Sequence, residues 1–425
     1  MSEEQTVNVP THPVPEDAAR PEHAPEEAAP GLDYDARGVM DAKDYDAVIV
    51  ASFGGPEGQE DVIPFLRNVT RGRGIPDERL EEVATHYRAN GGVSPINAQN
   101  RALRDALEAE LRRRGVELPV LLANRNWDPY VADVLRESHE RGYRDLLVLA
   151  TSAYSGYSSC RQYREDYGVG LEETGLQDEL HVEKIRQYYD SEGFLRPYAT
   201  KLRDSLLALR ERTDGPVRVL FTTHSVPMTD ANAAGSQRMS FEGNSAYVAQ
   251  HLAAARWIVE QVGEPMNGVE WELVYQSRSG PPQVPWLEPD ICDVIEELPG
   301  KGVTGVAVVP LGFVSDHMEV LWDLDTEARD AAAEAGLEFE RIPTAGTDPE
   351  FVAALADLVE QRLGTPTAPP RVSACAQGTW FDTCAPDCCV KVLRGQSEPR
   401  PTIAQRPVGE PIPVGLDENG EVIHR

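Results

Sequence analysis

Short apolar runs alternate along this chain with longer segments in which apolar residues recur at helical spacing. The apolar runs lie at 45–52, 119–123, 146–150, 217–222, 271–275 and 303–310, and the helical segments at 100–114, 130–142, 198–212, 246–262 and 351–363. Strands that alternate with helices predict βαβ units and mostly parallel sheets. Because the strands are too many for one compact sheet, we predict two α/β domains that meet near residues 205–215.

Both ends of the chain differ in composition from this alternating body. Residues 1–44 contain eleven acidic residues, three basic ones and six prolines, with hardly any large apolar side chain. Such a segment buries too little area to offset its ordering entropy, so we predict a disordered acidic tail. A Pro/Thr-rich linker at 365–370 precedes four cysteines within residues 375–389, and the Pro-rich stretch from residue 398 onward is a second predicted disordered tail.

The charge balance argues against two classes of partner. With 71 acidic and 40 basic residues, the chain has a net charge of −31 at pH 7, which opposes binding to nucleic acid and to anionic lipid. The longest apolar stretch, 303–314, is interrupted by glycine and proline and is shorter than the roughly 18–20 residues that span a bilayer. The first residues lack a basic region followed by an apolar one. We therefore expect a cytoplasmic monomer without stable membrane insertion, in which cysteines stay reduced.

Polar side chains follow two of the predicted strands at their carboxyl ends, where open parallel sheets bind ligands. His224 follows the strand at 217–222, and a histidine there exchanges protons or binds metal near neutral pH. Asp316, Glu319 and Asp323 follow the strand at 303–310 with a spacing that places them on one helical face. Such carboxylates also suit a solvated helix N-terminus. Paired with His224, however, Glu319 would complete a site for a divalent cation or for protons.

Cysteines form a second group of candidate ligands. Four of them, Cys375, Cys384, Cys388 and Cys389, lie close together near the C-terminus, and Cys160 lies far from them in the chain. In a reducing compartment a dense cysteine group indicates metal or iron–sulfur binding more often than disulfides. The spacing contains no CxxC pair, whereas three clustered cysteines and a distant fourth suit a Cys₄ [2Fe–2S] site.

Five motifs together resemble the signature blocks of one family, the ferrochelatases, in the same order and spacing. They are SFGGPEG (52–58), GGVSPIN (91–97), FTTHSVP (221–227), YQSRSGPPQVPWLEPD (275–290) and PLGFVSDHMEVLWDLD (310–325), and the resemblance covers roughly residues 45–360. The chain is most similar to the actinobacterial branch, which is associated with the coproporphyrin-dependent route to haem. The resemblance implies an α/β fold with two Rossmann-like domains of the class II chelatase type, each a four-stranded parallel sheet flanked by helices, and a porphyrin cleft between them.

The same resemblance implies domain bounds. They are 45–208 for the N-terminal domain, 209–345 for the C-terminal domain, 346–364 for a helix that packs back on the N-terminal domain, 365–397 for the cysteine-rich segment and 398–425 for the second tail. The resemblance to cluster-bearing relatives also implies [2Fe–2S] ligands. We expect Cys160 with the compact set Cys384, Cys388 and Cys389, and Cys375 in place of one of the adjacent pair is the alternative.

Site residues carry over from the family motifs position by position. His224 matches the metallation histidine and Glu319 its acidic partner, so these two are the expected catalytic residues and ligands of the substrate Fe²⁺. Ser94 and Tyr163 match porphyrin-contacting positions. Phe53 stands where many relatives have tyrosine, so stacking on the porphyrin is expected there without a hydroxyl contact.

The implied activity is the insertion of Fe²⁺ into coproporphyrin III to give coprohaem in haem biosynthesis. Arg67, Arg71 and Arg73 near the presumed cleft mouth, and the lack of a strongly apolar lip, favour this four-propionate substrate over protoporphyrin IX. The other partners we expect are enzymes of the haem pathway, in transient contact. Two alternatives remain: a chelatase that inserts cobalt or nickel into another tetrapyrrole, and a non-catalytic iron–sulfur or haem sensor.

Overall fold

Two four-stranded parallel sheets form the body of the protein. The computed structural model describes residues 38–72, 74–236, 241–280, 283–375, 378–393, 396–405, 413–416 and 422–424. The first sheet contains β1 (Ala47–Ser52), β2 (Val120–Asn124), β3 (Asp145–Ala150) and β4 (His181–Lys184) in the order β2-β1-β3-β4. The second contains β5 (Val217–His224), β6 (Glu270–Gln276), β7 (Gly305–Val309) and β8 (Glu338–Arg341) in the order β6-β5-β7-β8.

Helices connect the strands and cover the sheets. They are α1 (Val62–Val69), α2 (Asp77–Ala89), α3 (Ile96–Arg113), α4 (Val131–Glu140), α5 (Gln162–Thr174), α6 (Glu192–Arg212), α7 (Met228–Asn232), α8 (Ala246–Val262), α9 (Ile291–Glu297), α10 (Met318–Trp322), α11 (Arg329–Glu334) and α12 (Pro349–Leu363). Two further segments, Tyr157–Arg161 before α5 and Asp323–Ala328 after α10, are π-helical. Short 3₁₀ turns lie at Gln59–Asp61, Glu242–Asn244, Glu264–Met266 and Leu298–Lys301, and β9 (Pro413–Leu416) pairs antiparallel with β10 (Val422–His424).

The central strands are buried on both faces, as parallel sheets require. In β1, Val48 and Val50 belong to one hydrophobic cluster, and the alternate residues Ile49 and Ala51 belong to another. Residues of β5 alternate in the same way between the cluster that contains Val48 and a third cluster. Because one cluster draws residues from both sheets, the two halves share a continuous core. The prediction of two helix-flanked, four-stranded parallel sheets is confirmed.

Several elements have no counterpart among those predicted: the edge strands β4 and β8, the start of α6, and helices that include α1, α2 and α5. The strands β4 (HVEK) and β8 (EFER) are edge strands of four residues, and half or more of their residues are polar, so neither shows an apolar run. The helix α6 begins six residues before the predicted start at residue 198. Pro197 lies inside it, and the fully buried Phe194 and Leu195 anchor the turn that precedes this proline. Among the described residues, no helix is long and apolar enough to cross a bilayer.

Parts of both predicted tails pack against the body. Lys43 forms ion pairs with Asp145 (2.7 Å) and Glu183 (2.9 Å) of the first sheet. Near the other end, the carbonyl of Ile403 accepts a hydrogen bond of 2.9 Å from Nε of the buried Arg164. Residues 38–44 and 398–405 are therefore attached to the folded core. The rest of the predicted acidic tail, residues 1–37, and residues 406–412, 417–421 and 425 lie outside the described part of the chain.

Candidate active site

His224 lies at the carboxyl end of β5, and several neighbours hold it there. Its backbone carbonyl accepts a hydrogen bond of 2.9 Å from the Tyr247 hydroxyl, which also pairs with Thr223 at 2.6 Å. The imidazole Nδ1 lies within hydrogen-bonding distance of the Ser225 carbonyl. A neutral ring that donates from Nδ1 presents the lone pair of Nε2 outward, which suits a proton acceptor or a metal ligand.

Glu319, the second predicted catalytic residue, lies beside His224. It lies in the first turn of α10, and its Oε2 lies 3.6 Å from Nε2 of His224. The side chains are 34% and 51% exposed, so the pair is open to solvent and to a ligand. The structure therefore brings together the two side chains that the motifs single out.

Asp323 lies next to this pair and is less exposed to solvent than Glu319. It begins the π-helical segment, where its carboxylate accepts hydrogen bonds from the Ser277 hydroxyl and, at 3.2 Å, from Nε2 of Gln276. Burial, with a smaller contribution from the negative charges of Glu319 and Glu327 and against the two hydrogen bonds, raises the pKa of Asp323 to about 7. Asp323 can thus take up and release a proton near neutral pH.

Asp316 is placed differently from the other two carboxylates. Its side chain forms an ion pair of 3.1 Å with Arg341 of β8, and its backbone N–H donates to Gln99 at 2.8 Å. The guanidinium offsets the charge of Asp316. The second histidine of this region, His317, packs its ring edge-on against Phe313 at 5.1 Å, and burial lowers the pKa of its imidazole.

The first sheet supplies Phe53 and Ser94 through a tight turn after β1. Gly55 permits the turn, because a Cβ at this position would lie 2.6 Å from the Cβ of Ser94 and 2.9 Å from Ile96. Ser94 is 3% exposed and donates its backbone N–H to the Pro56 carbonyl at 2.9 Å. Phe53 is half-buried and contacts Phe65 edge-on at 6.2 Å.

Tyr163, the third predicted porphyrin contact, is almost wholly buried in α5. The guanidinium of Arg125 lies 4.4 Å from its ring centroid and 5.9 Å from that of Phe53. Arg125 is itself fixed by an ion pair of 2.6 Å with Asp166. The structure thus joins Phe53 and Tyr163 through one cation, and Tyr163 contributes to a packed wall, being only 7% exposed.

Buried hydrogen bonds join the two halves beside the site. Asn100 of α3 accepts a hydrogen bond of 2.8 Å from the Ser315 hydroxyl and donates one of 2.6 Å to Ser52. All three side chains are at most 6% exposed. Because Ser52 ends β1 and Ser315 follows β7, this chain of bonds holds the strand ends of the two sheets at a defined separation.

Two of the three arginines predicted near the cleft mouth are exposed. Arg67 pairs with Asp77 at 2.9 Å, and Arg71 donates to the Asn68 side chain at 2.6 Å. Arg73 lies outside the described residues.

Four cysteines meet in a buried group on the far side of α5. Cys160, from the π-helical segment, and Cys388 both donate to Cys384, and these hydrogen bonds hold the pKa of Cys384 well below its usual range. The Sγ atoms of Cys388 and Cys389 lie 3.8 Å apart. These neighbours share one side because Cys389 takes a left-handed conformation (φ 56°), which non-glycine residues rarely adopt.

The surroundings of this group are cationic, but its thiols do not converge on one point. Arg164 and Lys184 both lower the pKa of Cys384 electrostatically. Cys375 is elsewhere, beside the carboxylates of Asp190 and Glu260. In the part of the chain that the structure describes, no group of three or more His, Cys, Asp or Glu side chains is arranged to hold a metal ion.

Several residues that lie beside the site are not individually marked as functional by a sequence pattern. Ser277 and Gln276 lie 46 and 47 residues from Asp323 in the sequence, Gln276 at the end of β6 and Ser277 directly after it. Ser277 also has a positive φ of 62°, a backbone conformation that the presence of a serine in the sequence does not predict. The aromatic residue Tyr87 of α2 lies near Glu319 and Asp323, whose charges, after burial, raise the pKa of its phenol.

Comparison of the sequence with a family model and with named proteins points to one family. A family model described as ferrochelatase matches residues 45–363. Proteins named coproporphyrin III ferrochelatase are similar: that of Leifsonia xyli subsp. xyli is 55% identical, with 87% of this chain and 97% of the relative covered, and that of Streptomyces griseus subsp. griseus is 51% identical, with 83% and 95% covered. Among solved structures, the sirohydrochlorin chelatase SirB from Bacillus subtilis subspecies spizizenii in complex with cobalt has a TM-score of 0.44 at 12% identity, with 75% of this chain and 96% of that chain covered.

Proposed function

Because the chain belongs to the ferrochelatase family, we propose that it inserts Fe²⁺ into coproporphyrin III to give coprohaem in haem biosynthesis. The observation that carries the proposal is the approach of His224 to Glu319 at 3.6 Å between the carboxyl ends of β5 and β7. The substrate is argued from relatives of 46–55% identity that bear the name coproporphyrin III ferrochelatase.

The reaction requires acceptors for two protons, because each of two pyrrole N–H groups must lose its hydrogen as Fe²⁺ enters the ring. In our proposal Nε2 of His224 takes a pyrrole proton, and Glu319 binds the incoming Fe²⁺ or takes the second proton. Both groups are half-exposed and face each other, so a porphyrin that turns its face toward them brings its central nitrogens within reach of both. Histidine and carboxylate suit this work as acid–base groups and as ligands of divalent iron.

We assign the onward transfer of protons to Asp323. A carboxylate whose pKa lies at about 7 accepts a proton from Glu319 and passes it to water without a large energetic step in either direction. Asp316, which the sequence places on the same helical face, is bound to Arg341 and has no part in the proposal.

Phe53, Ser94 and Tyr163 are proposed to shape the porphyrin side of the cleft. Phe53 would stack on the macrocycle, Ser94 would contact its edge, and Tyr163 would act through Arg125, which lies over both aromatic rings. Arg67 and Arg71 are exposed, and in our proposal they leave Asp77 and Asn68 to meet the four propionates of coproporphyrin III, which have twice the charge of the two propionates of protoporphyrin IX.

An anaerobic iron-insertion assay with both porphyrins tests the proposal. We expect turnover with coproporphyrin III and much slower turnover with protoporphyrin IX. His224→Ala should abolish metallation while coproporphyrin III still binds, as measured by quenching of porphyrin fluorescence. The matched control is His181→Ala, an exposed histidine at the edge of the first sheet. Near-normal turnover of the His224→Ala variant, or a preference for protoporphyrin IX, would contradict the assignment.

We also propose that Cys160, Cys384, Cys388 and Cys389 hold a [2Fe–2S] cluster. In support, four buried thiols from distant parts of the chain form one connected group, and Arg164 and Lys184 supply positive charge beside it. The cluster would supply a one-electron redox centre, and its ligand thiols must open outward to admit it. All six cysteines are free thiols, which agrees with a reducing, cytoplasmic location.

The cluster proposal has its own test. Protein purified without oxygen should contain two iron and two sulfide per chain and absorb visible light by sulfur-to-iron charge transfer. Cys384→Ser should remove this absorption, whereas Cys375→Ser, a change at a buried cysteine outside the group, should leave it unaltered. Loss of the absorption in the Cys375→Ser variant alone would transfer the ligand role to Cys375.

A further inference from the structure

A stacked pair of rings joins α2 to α10 across the mouth of the cleft. The His86 imidazole lies parallel to the Trp322 indole, with ring centroids 4.0 Å apart and planes 7° apart. Burial lowers the pKa of His86, so the ring stacks in its neutral form. The contact continues inward, where Nδ2 of Asn90 approaches the sulfur of the buried Met318 at 3.2 Å. The helix α2 thus covers the segment that bears Glu319.

The indole N–H of Trp322 forms a hydrogen bond with a carboxylate of the π-helical segment that follows α10. Its indole Nε1 donates a hydrogen bond of 2.9 Å to Oε1 of Glu327, five residues later. In an α-helix a residue five positions on lies about 140° round the axis, out of reach. The π-helical turn at Asp323–Ala328 makes the contact, because i→i+5 bonding brings positions five apart onto one side.

Glu327 belongs to a row of carboxylates that leads to the site. Glu319, Asp323 and Glu327 follow one another at four-residue intervals, and the charges of the outer two raise the pKa of the middle one. Glu327 is the exposed outer member. Glu319 is exposed as well, so Glu327 adds a second solvent-facing carboxylate to which a hydrated Fe²⁺ can bind beside the site.

We propose that Trp322 is a positioning residue for iron uptake and that His86 holds it from across the cleft. The indole N–H binds one oxygen of Glu327 and leaves the other for Fe²⁺, and the stacked imidazole keeps the indole from turning away. The proposal rests on the proposed function, since it concerns the route by which the substrate Fe²⁺ reaches Glu319. Neither ring contacts the reacting atoms.

Three substitutions separate the two contacts of Trp322. Trp322→Phe keeps an aromatic face for His86 but removes the N–H, and it should raise KM for Fe²⁺ about 3- to 10-fold, as expected for one lost hydrogen bond. The kcat of this variant and its KM for coproporphyrin III should both stay within about twofold of the wild-type values. His86→Ala should raise KM for Fe²⁺ in the same direction and shift the Trp322 fluorescence to the red, and His86→Phe should restore both.

Glu327→Gln supplies the second measurement, because it changes an exposed side chain and leaves the core untouched. It should raise KM for Fe²⁺, and the Trp322→Phe/Glu327→Gln double variant should be no worse than Glu327→Gln alone, since both remove one interaction. The matched control is Trp257→Phe, a tryptophan of α8 that contacts Arg196 away from the cleft and should leave KM for Fe²⁺ unchanged.

Three results would overturn the inference: an unchanged KM for Fe²⁺ in the Trp322→Phe variant, a rise carried by KM for the porphyrin, or additive effects in the double variant. Each of them leaves the proposed function standing, because the wild-type protein still metallates coproporphyrin III. If the wild-type protein inserts no iron, the proposed function falls first and the inference falls with it.

Discussion

Replacing Asp323 by asparagine should stabilise the protein at pH 8 and have little effect at pH 4. In the folded protein burial raises the pKa of Asp323 to about 7 from an ordinary value of 3.8. The folded state therefore retains a proton between pH 4 and 7 that the unfolded state has lost, so the wild-type protein loses stability as pH rises through this window. Asparagine does not titrate, and the advantage of the variant grows across the same window.

The magnitude follows from the shift. About three pKa units at about 1.4 kcal/mol each give an upper limit of about 4 kcal/mol. Because Asp323 is partly exposed and its hydrogen bonds to Ser277 and Gln276 survive in asparagine, we expect about 1–2 kcal/mol, or roughly 2–8 °C in Tm.

Thermal unfolding of both proteins at pH 4, 5, 6, 7 and 8 measures this difference. Asp330→Asn, at an exposed position in the next helical turn, controls for the loss of one negative charge. A Tm difference that is constant with pH, or one that shrinks as pH rises, would refute the reasoning. The same variant should lack the increase in iron-insertion rate that ionisation of Asp323 produces through pH 7 in the wild-type protein.

Three further substitutions test the framework of the site. Gly55→Ala should weaken coproporphyrin III binding and cost about 1–3 kcal/mol of stability, since its Cβ would lie 2.6 Å from Ser94; a fluorescence titration with unchanged affinity would contradict this. Asn100→Ala should cost about 1–3 kcal/mol by leaving buried hydroxyls on both halves without a partner, measured as a lower Tm. Arg362→Met should cost about 1–3 kcal/mol, because Glu183 loses its guanidinium partner but keeps the ion pair with Lys43, and a Tm equal to wild type would show that the Arg362 ion pair is dispensable.

The sequence was sufficient for the parts of the fold that are buried on both faces. The strand β1 consists of six buried residues and the helix α8 begins and ends at the residues that its apolar spacing indicates. The strands β4 and β8 escaped prediction because each has four residues, three of them polar, whereas β2 and β6, which also lie at sheet edges, contain apolar runs. Apolar runs in the sequence mark strands that are buried on both faces. A short strand that is only partly covered needs no such run.

The site divides along a similar line. The proximity of His224 and Glu319 could be predicted because His224 ends β5, Glu319 lies in the helix that follows β7, and parallel strands bring their carboxyl ends to one edge. The environment of Asp323 could not, since it depends on Ser277 from another loop and on a π-helical turn that no spacing rule announces. The raised pKa of Asp323 results from this packing. A sequence pattern identifies the aspartate but does not predict its burial or its neighbours.

The described residues of the C-terminal extension (365–375, 378–393 and 396–405) pack on the body and support it. Arg161 and Arg164 are at most 1% exposed, and both donate to backbone carbonyls of the extension, Arg161 to Cys388 at 3.3 Å and Arg164 to Ile403 at 2.9 Å. Without the extension these guanidinium groups would lose buried hydrogen bonds, each of which costs about 1–3 kcal/mol to leave unmade. The two arginines flank the turn between Cys160 and α5, so the segment that carries three of the four grouped cysteines also fixes the helix that carries Tyr163. One set of contacts therefore supports both the thiol group and a wall of the proposed porphyrin cleft.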